Sequence, residues 1–178
     1  MQQSVRVLLA TTALFFSCQT LANDGCNFKE NEGGFMATCK QEQQEVILTG
    51  VIDGKKLVTE LPPFKSGYQS YEVDTAAIAP LKAVSKPTQI VVIIGTWCPD
   101  CHRETPRFIK IMEAVNNPNI SVKFIGVDRK KHDPEGLAAK YEFKRIPTFM
   151  VIQDGKEIGR IVERPTESLE KDLAKILG

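Results

Sequence analysis

The stretch that decides the fold is Ile90-Val91-Val92-Ile93-Ile94-Gly95-Thr96-Trp97-Cys98-Pro99-Asp100-Cys101. Its first five residues are apolar and β-branched without polar alternation, which reads as a strand buried on both faces. Beyond the cysteines, Phe108, Ile111, Met112 and Val115 recur at i, i+3, i+4 and i+7 and make one apolar helical face. Two thiols therefore stand between a buried strand and a helix start, where unpaired backbone N–H groups and the helix dipole favour an anion. A thiol in such a place ionises more readily and becomes a usable nucleophile, and the C-x-x-C spacing lets the second sulfur resolve a mixed disulfide.

A second signal lies 46 residues beyond Cys101, where Ile146-Pro147-Thr148 opens the apolar strand Phe149-Met150-Val151-Ile152. A proline opening a central strand needs a reason. The two motifs, in this order and at this spacing, resemble the thioredoxin superfamily across about residues 70 to 178. The resemblance implies an α/β thioredoxin fold, a mixed central sheet with helices on both faces. It also implies a cis bond before Pro147 that turns Ile146 backbone groups toward Cys98 and offers an edge to an extended substrate. Cys98 is then the attacking thiol and Cys101 the resolving one. Trp97, Ile146 and Pro147 are the expected substrate contacts, although Trp97 also suits simple core burial.

Glu104 lies three residues past Cys101 and shares its helical face. The thioredoxin-like reductases of cytochrome c maturation carry a Glu at this offset that handles active-site protons; the plainer reading is a surface carboxylate paired with Arg107. The buried Asp and Lys of ordinary thioredoxins fall here on Val92 and Phe124, so that pair supplies no base. Pro106 matches the helix-kinking proline of the superfamily. Arg129-Lys130-Lys131 with His132 reads as a solvated loop.

Residues 1–22 read as a signal peptide. Arg6 supplies the positive start, Val7 to Ser17 the apolar region and Thr20-Leu21-Ala22 the small cleavage residues. Lipid attachment at Cys18 is the less favoured alternative, because Phe15 fits that pattern poorly. Cleavage leaves 156 of the 178 residues, with 22 basic and 22 acidic side chains, a balance that offers nothing to nucleic acid. Four cysteines remain, an even number in an exported, disulfide-permissive chain.

Residues 23–66 read as a small N-terminal β extension and 67–178 as the main domain. Val46–Ile52 and Lys56–Leu61 flank Asp53-Gly54 as a hairpin, and Cys26 and Cys39 enclose Gly33-Gly34 and suit a structural disulfide across a second one. A relay of electrons through this pair is the alternative, but no neighbour activates it. The remainder reads helix, strand, helix, strand, helix, strand, strand, helix. Asp74 or Thr75 opens the first helix, Asp133-Pro134 a middle one and Thr166 the last.

From a different class, Cys98-Pro99-Asp100-Cys101-His102 also satisfies the c-type haem attachment pattern, with His102 as one axial ligand and Met112, Met150 or His132 as the other. The expected packed sheet leaves a haem no pocket. No metal and no cofactor are expected, since Cys26 and Cys39 are too widely spaced to complete a zinc site. The expectation is an exported, monomeric protein-disulfide reductase. Its partners would be disulfide-bearing proteins and a membrane-spanning electron donor. Asp100 should repel a thiolate at Cys98 and keep the potential nearer about −270 mV than about −120 mV. Oxidation or isomerisation on the same fold, and a binding module without turnover, are the alternatives.

Overall fold

The computed structural model describes the backbone of residues 26–31 and 34–39 and the full structure of residues 45–178. The expected signal peptide, residues 1–22, and Cys18 lie outside the described residues. Contacts divide the chain into two units, 1–44 and 45–178. In the first, β1 (Cys26–Asn31) and β2 (Gly34–Cys39) form an antiparallel hairpin whose register sets Cys26 opposite Cys39. The side chains of that pair lie outside the described residues.

The second unit is built on a five-stranded sheet in the order β3-β5-β4-β6-β7. These are β3 (Gly50–Ile52), β4 (Thr88–Ile94), β5 (Ile120–Gly126), β6 (Thr148–Gln153) and β7 (Lys156–Val162). Only β4 and β5 pair in parallel; β3, β6 and β7 are antiparallel to their neighbours, so the sheet is mixed. Central β4 has both neighbours, and all of Ile90 to Ile94 is fully buried, as an unbroken β-branched run requires.

Helix α4 (Pro99–Val115) crosses one face, its Phe108 ring 6.2 Å from Phe124 of β5 and 5.0 Å from Phe149 of β6. Phe124 and Phe149 are the cross-strand partners of Val92, so these residues share that face. Helix α5 (Leu169–Leu177) joins α4 there, and Ile176 occupies the space left by Gly159. The opposite face is closed by the turn Ala138–Tyr141, held where Arg160 Nη2 donates to the Tyr141 carbonyl. Among the described residues no helix is long and apolar enough to cross a membrane.

The front of this unit departs from the sequence reading. Asp53-Gly54 is not a hairpin turn. Asp53 Oδ1 accepts from Lys55 N at 2.9 Å and caps α1 (Gly54–Glu60). Leu57, Val58 and Leu61 are spaced i, i+1 and i+4, a helical rather than an alternating pattern, and this outweighs the turn signature. Pro62 forces Leu61 into an extended conformation and then opens α2 (Pro62–Ser70), which runs across the boundary expected between residues 66 and 67. Residues 45–66 thus belong to the main unit, whose boundary lies at Glu45 rather than at residue 67.

Asp74 accepts from Ala76 N and Ala77 N, but the helix that follows is only α3 (Ala79–Lys82). Asp133 receives Leu137 N and Ala138 N, yet the chain then makes a single 3₁₀ turn. Ser168, not Thr166, caps α5.

Candidate thiol site

Strand β4 ends at Ile94, the chain turns through Gly95-Thr96-Trp97, and Cys98 occupies the N-cap of α4 with Pro99 as its first helical residue. That order places the Cys98 sulfur at the positive end of a 17-residue helix. The Cys98 thiol donates to the Ile146 carbonyl at 3.6 Å, across the cis bond between Ile146 and Pro147. Trp97 and Ile146 both pack over Gly95, where any Cβ would come within 2.7 Å of the indole and 2.9 Å of the isoleucine. Trp97 Nε1 donates to the Val127 carbonyl at 3.1 Å, and Arg129 lies 5.1 Å above its ring. Trp97, Cys98, Cys101, Ile146 and Pro147 therefore form one locus.

The two sulfurs differ in kind. Cys98 is lowered from the ordinary 9.0 to about 6. A hydrogen bond from the Cys101 side chain is the largest cause, and the backbone N–H groups of Cys101 and Asp100 add to it against the cost of burial. Cys101 has no exposed surface, and burial first, then the partner sulfur, pushes its thiol up. Gly95 N donates to Cys101 Sγ at 3.4 Å. The structure thus separates an easily ionised outer thiol from a protonated inner one.

The repulsion expected from Asp100 is present, and two guanidiniums flank the carboxylate. Asp100 Oδ1 lies 2.7 Å from Arg103 Nη2 and 3.2 Å from Arg164 Nη2. Burial would raise this carboxyl, but the two guanidiniums hold it below the usual carboxylate range. Arg103, at i+3 from Asp100, was available to a pattern reading of the helix. Arg164 was not, because it lies 64 positions further along the chain, beyond three strands.

Glu104 is not a surface carboxylate, and its partners are guanidiniums. Its residue is 2% exposed, and Oε1 accepts from Arg103 Nε at 2.6 Å with Arg107 Nη1 3.5 Å away. Arg107 in turn lies 5.3 Å above the Tyr71 ring. The carboxylate faces guanidiniums; the charge acting on both thiols is that of Asp100. Val92 and Phe124 are direct partners across β4 and β5, so an apolar pair fills the place of the thioredoxin Asp and Lys.

His102 does not offer a haem ligand. Its Nε2 lies 2.6 Å from the Thr96 carbonyl, which can only accept, so that nitrogen carries the proton. Its ring meets Phe64 edge-on at 5.1 Å, and Cys101 is sealed beneath the β4 turn.

Comparison with known proteins agrees with this geometry. The TPR repeat-containing thioredoxin TDX of Arabidopsis thaliana is 29% identical over 99 residues, 54% of this chain and 24% of its own. A thioredoxin-like protein of Acanthamoeba polyphaga mimivirus is 31% identical over 91 residues, 51% of this chain and 64% of its own. The chain thus spans less than two thirds of either relative. Thioredoxin from Oryctolagus cuniculus is 33% identical over 88 residues, 49% of this chain and 78% of its own. Among solved structures, a Pseudomonas aeruginosa protein of unknown function shares the fold at 19% identity. Its TM-score is 0.52, over 72% of this chain and 90% of that one. The family described as Thioredoxin matches residues 59–174, from α1 through α5 and across both motifs, and the chain belongs to the thioredoxin family.

Proposed function

We propose that the chain is an exported thiol:disulfide oxidoreductase that reduces disulfides in other proteins. The observation that carries this reading is the placement of Cys98 at the N-cap of α4, facing the Ile146 carbonyl, with Cys101 buried one turn further in. The Cys98 thiolate attacks one sulfur of a substrate disulfide, the substrate S–S bond breaks, and the departing thiolate takes up a proton. Cys101 then gives up its proton and attacks the Cys98 sulfur. This releases the second substrate thiol and leaves a Cys98–Cys101 disulfide, so two electrons pass from the pair to the substrate. An extended substrate strand would lie along Ile146 and Pro147 beside Trp97.

Acidity supports this direction. A nucleophile at about 6 lies nearer the roughly 7 of reducing thioredoxins than the roughly 3.5 of the strong oxidant of the superfamily. The reduced state is therefore only modestly stabilised and the pair remains a donor. The N-terminal signal pattern supports export. In an oxidising compartment the spent disulfide needs a dithiol donor drawing on the cytosol, hence a membrane-spanning partner. Purified protein should reduce insulin with dithiothreitol as donor, and equilibration with glutathione should place the pair near about −270 mV. A potential above about −180 mV would make it an isomerase or oxidant, and absence of turnover would make it a binding module.

A further inference from the structure

The first turns of α4 carry a chain of charges that the exchange itself does not consume. Glu104 Oε1 accepts from Arg103 Nε at 2.6 Å, Arg103 Nη2 stands 2.7 Å from Asp100 Oδ1, and Arg164 Nη2 reaches the same oxygen at 3.2 Å. The chain joins a buried carboxylate to one two residues past Cys98. Glu104 is held too deep for solvent to neutralise, and its Oε2 has no hydrogen-bond partner among the described residues. Such a carboxylate needs a guanidinium and fixes where that guanidinium sits. Arg103 is thereby bound at Nε and turns its Nη2 to Asp100.

We propose that Arg103, anchored by Glu104, is a positioning residue of the thiol site that, with Arg164, screens the Asp100 carboxylate from the Cys98 thiolate. The inference rests on the exchange reaction proposed above and assigns Glu104 a place in it. Glu104 orients the screen rather than carrying a proton. The charged and titratable groups around Cys98 are few. On α4 they are Asp100, Cys101 and Arg103, while His102 is turned to the Thr96 carbonyl. From the chain after β7 comes Arg164. Arg145, next to Ile146, is engaged by Glu163, and Arg129 by Glu45 and the Trp97 ring. Asp100 is the one carboxylate among them that bears on the thiolate, and both of its partners are arginines.

The test is the pH midpoint of Cys98 alkylation by iodoacetamide in the reduced protein. Arg103→Gln should raise that midpoint by about half a pH unit, a roughly threefold loss of thiolate below it. In an Asp100→Asn background the same substitution should leave the midpoint in place, because nothing remains to be screened. Arg164→Gln, at an exposed position that folding tolerates, should shift it upward by less. That shift should vanish in 1 M salt, where screening acts within about 3 Å.

An unmoved midpoint in both single variants overturns the proposal. So does an equal Arg103→Gln shift with and without Asp100, since a purely structural arginine would give that result. The underlying reaction is judged separately. If Cys98→Ser still reduces insulin, the exchange reading fails together with the screen. If turnover depends on Cys98 and the midpoint ignores both arginines, only the screen fails.

Discussion

The side of the α4 start that carries Cys98 and the side that carries Cys101 surround the same atom type with different matter. Cys98 sits at the N-cap, between backbone N–H groups, the Ile146 carbonyl and a carboxylate flanked by two guanidiniums. Cys101, one turn further, is closed in by the β4 turn and the apolar core. Hydrogen bonding and the helix terminus stabilise charge at the first position, and loss of water forbids it at the second. What separates the two thiols is depth along one helical turn. The hydrogen bond between them adds to the split, because each sulfur's preference strengthens the other's.

The sharpest way to break the comparison is to remove each sulfur in turn. Cys98→Ser should lower insulin reduction by about a thousandfold or more, since no first attack remains. Cys101→Ser should instead accumulate protein joined to substrate through Cys98, visible as a dithiothreitol-sensitive adduct on a non-reducing gel. Equal adducts from both variants would make the two sulfurs interchangeable and erase the contrast.

A smaller effect tests the energetics. In the reduced fold Cys98 ionises at about 6 against 9.0 for an ordinary thiol, so between these values the unfolded chain binds more protons. Stability of the reduced form should therefore climb with pH across that window, with the Cys98 contribution complete above 9.0 and lost as pH falls through about 6. Cys101, pushed up by burial, works in the other direction only once an unfolded thiol would ionise, above 9.0. The oxidised form carries neither thiol and serves as the reference. The melting temperature of reduced minus oxidised protein should rise from pH 6 to pH 9, and a flat difference would remove the physical basis of the contrast.

The smallest effect concerns a pair set apart from both. We propose that Cys26 and Cys39, placed opposite each other in the β1–β2 register, close a structural disulfide. A loop of this length is worth about 3 kcal/mol in the chain-entropy picture. Replacing both by serine should lower the melting temperature of the hairpin unit and change insulin reduction by less than about twofold. A large loss of turnover with folding intact would make the pair part of the electron path.

What was legible in the sequence was what a few adjacent residues determine. The run Ile90–Ile94 could only be a doubly buried strand, and Cys98, Pro99 and Cys101 set a helix start with two thiols on it. Asp53-Gly54 shows why the front was misread. An aspartate before a glycine suits a hairpin turn and an N-cap equally, and only the i, i+1, i+4 set of Leu57, Val58 and Leu61 tells them apart. The middle helix shrank to one turn although Asp133 accepts from Leu137 N and Ala138 N, because Gly136 takes a φ of +62° and breaks the path. Glu104 was placed on the right helix and beside Arg107, but its burial and its tighter contact with Arg103 were missed. Its i+3 spacing from Cys101 said nothing of the arginine beside it or of α2 closing over that side. Arg164 belongs to the kind of contact that only tertiary structure creates.

The close approach of α2 to α4 has a consequence for how freely this sequence can drift. A Cβ at Gly67 would stand 2.8 Å from the Pro106 ring and 3.0 Å from the His102 carbonyl, neither of which can swing aside. Most of α2 is exposed or half-exposed, and exchanges on such a helix are ordinarily neutral. Position 67 is the exception. A single methyl group there presses on the turn of α4 that directly follows Cys101, at an overpacking cost of about 1–3 kcal/mol. Thirty-one residues before Cys98, a site with no chemistry of its own is thus sterically tied to the helix turn that carries the thiols.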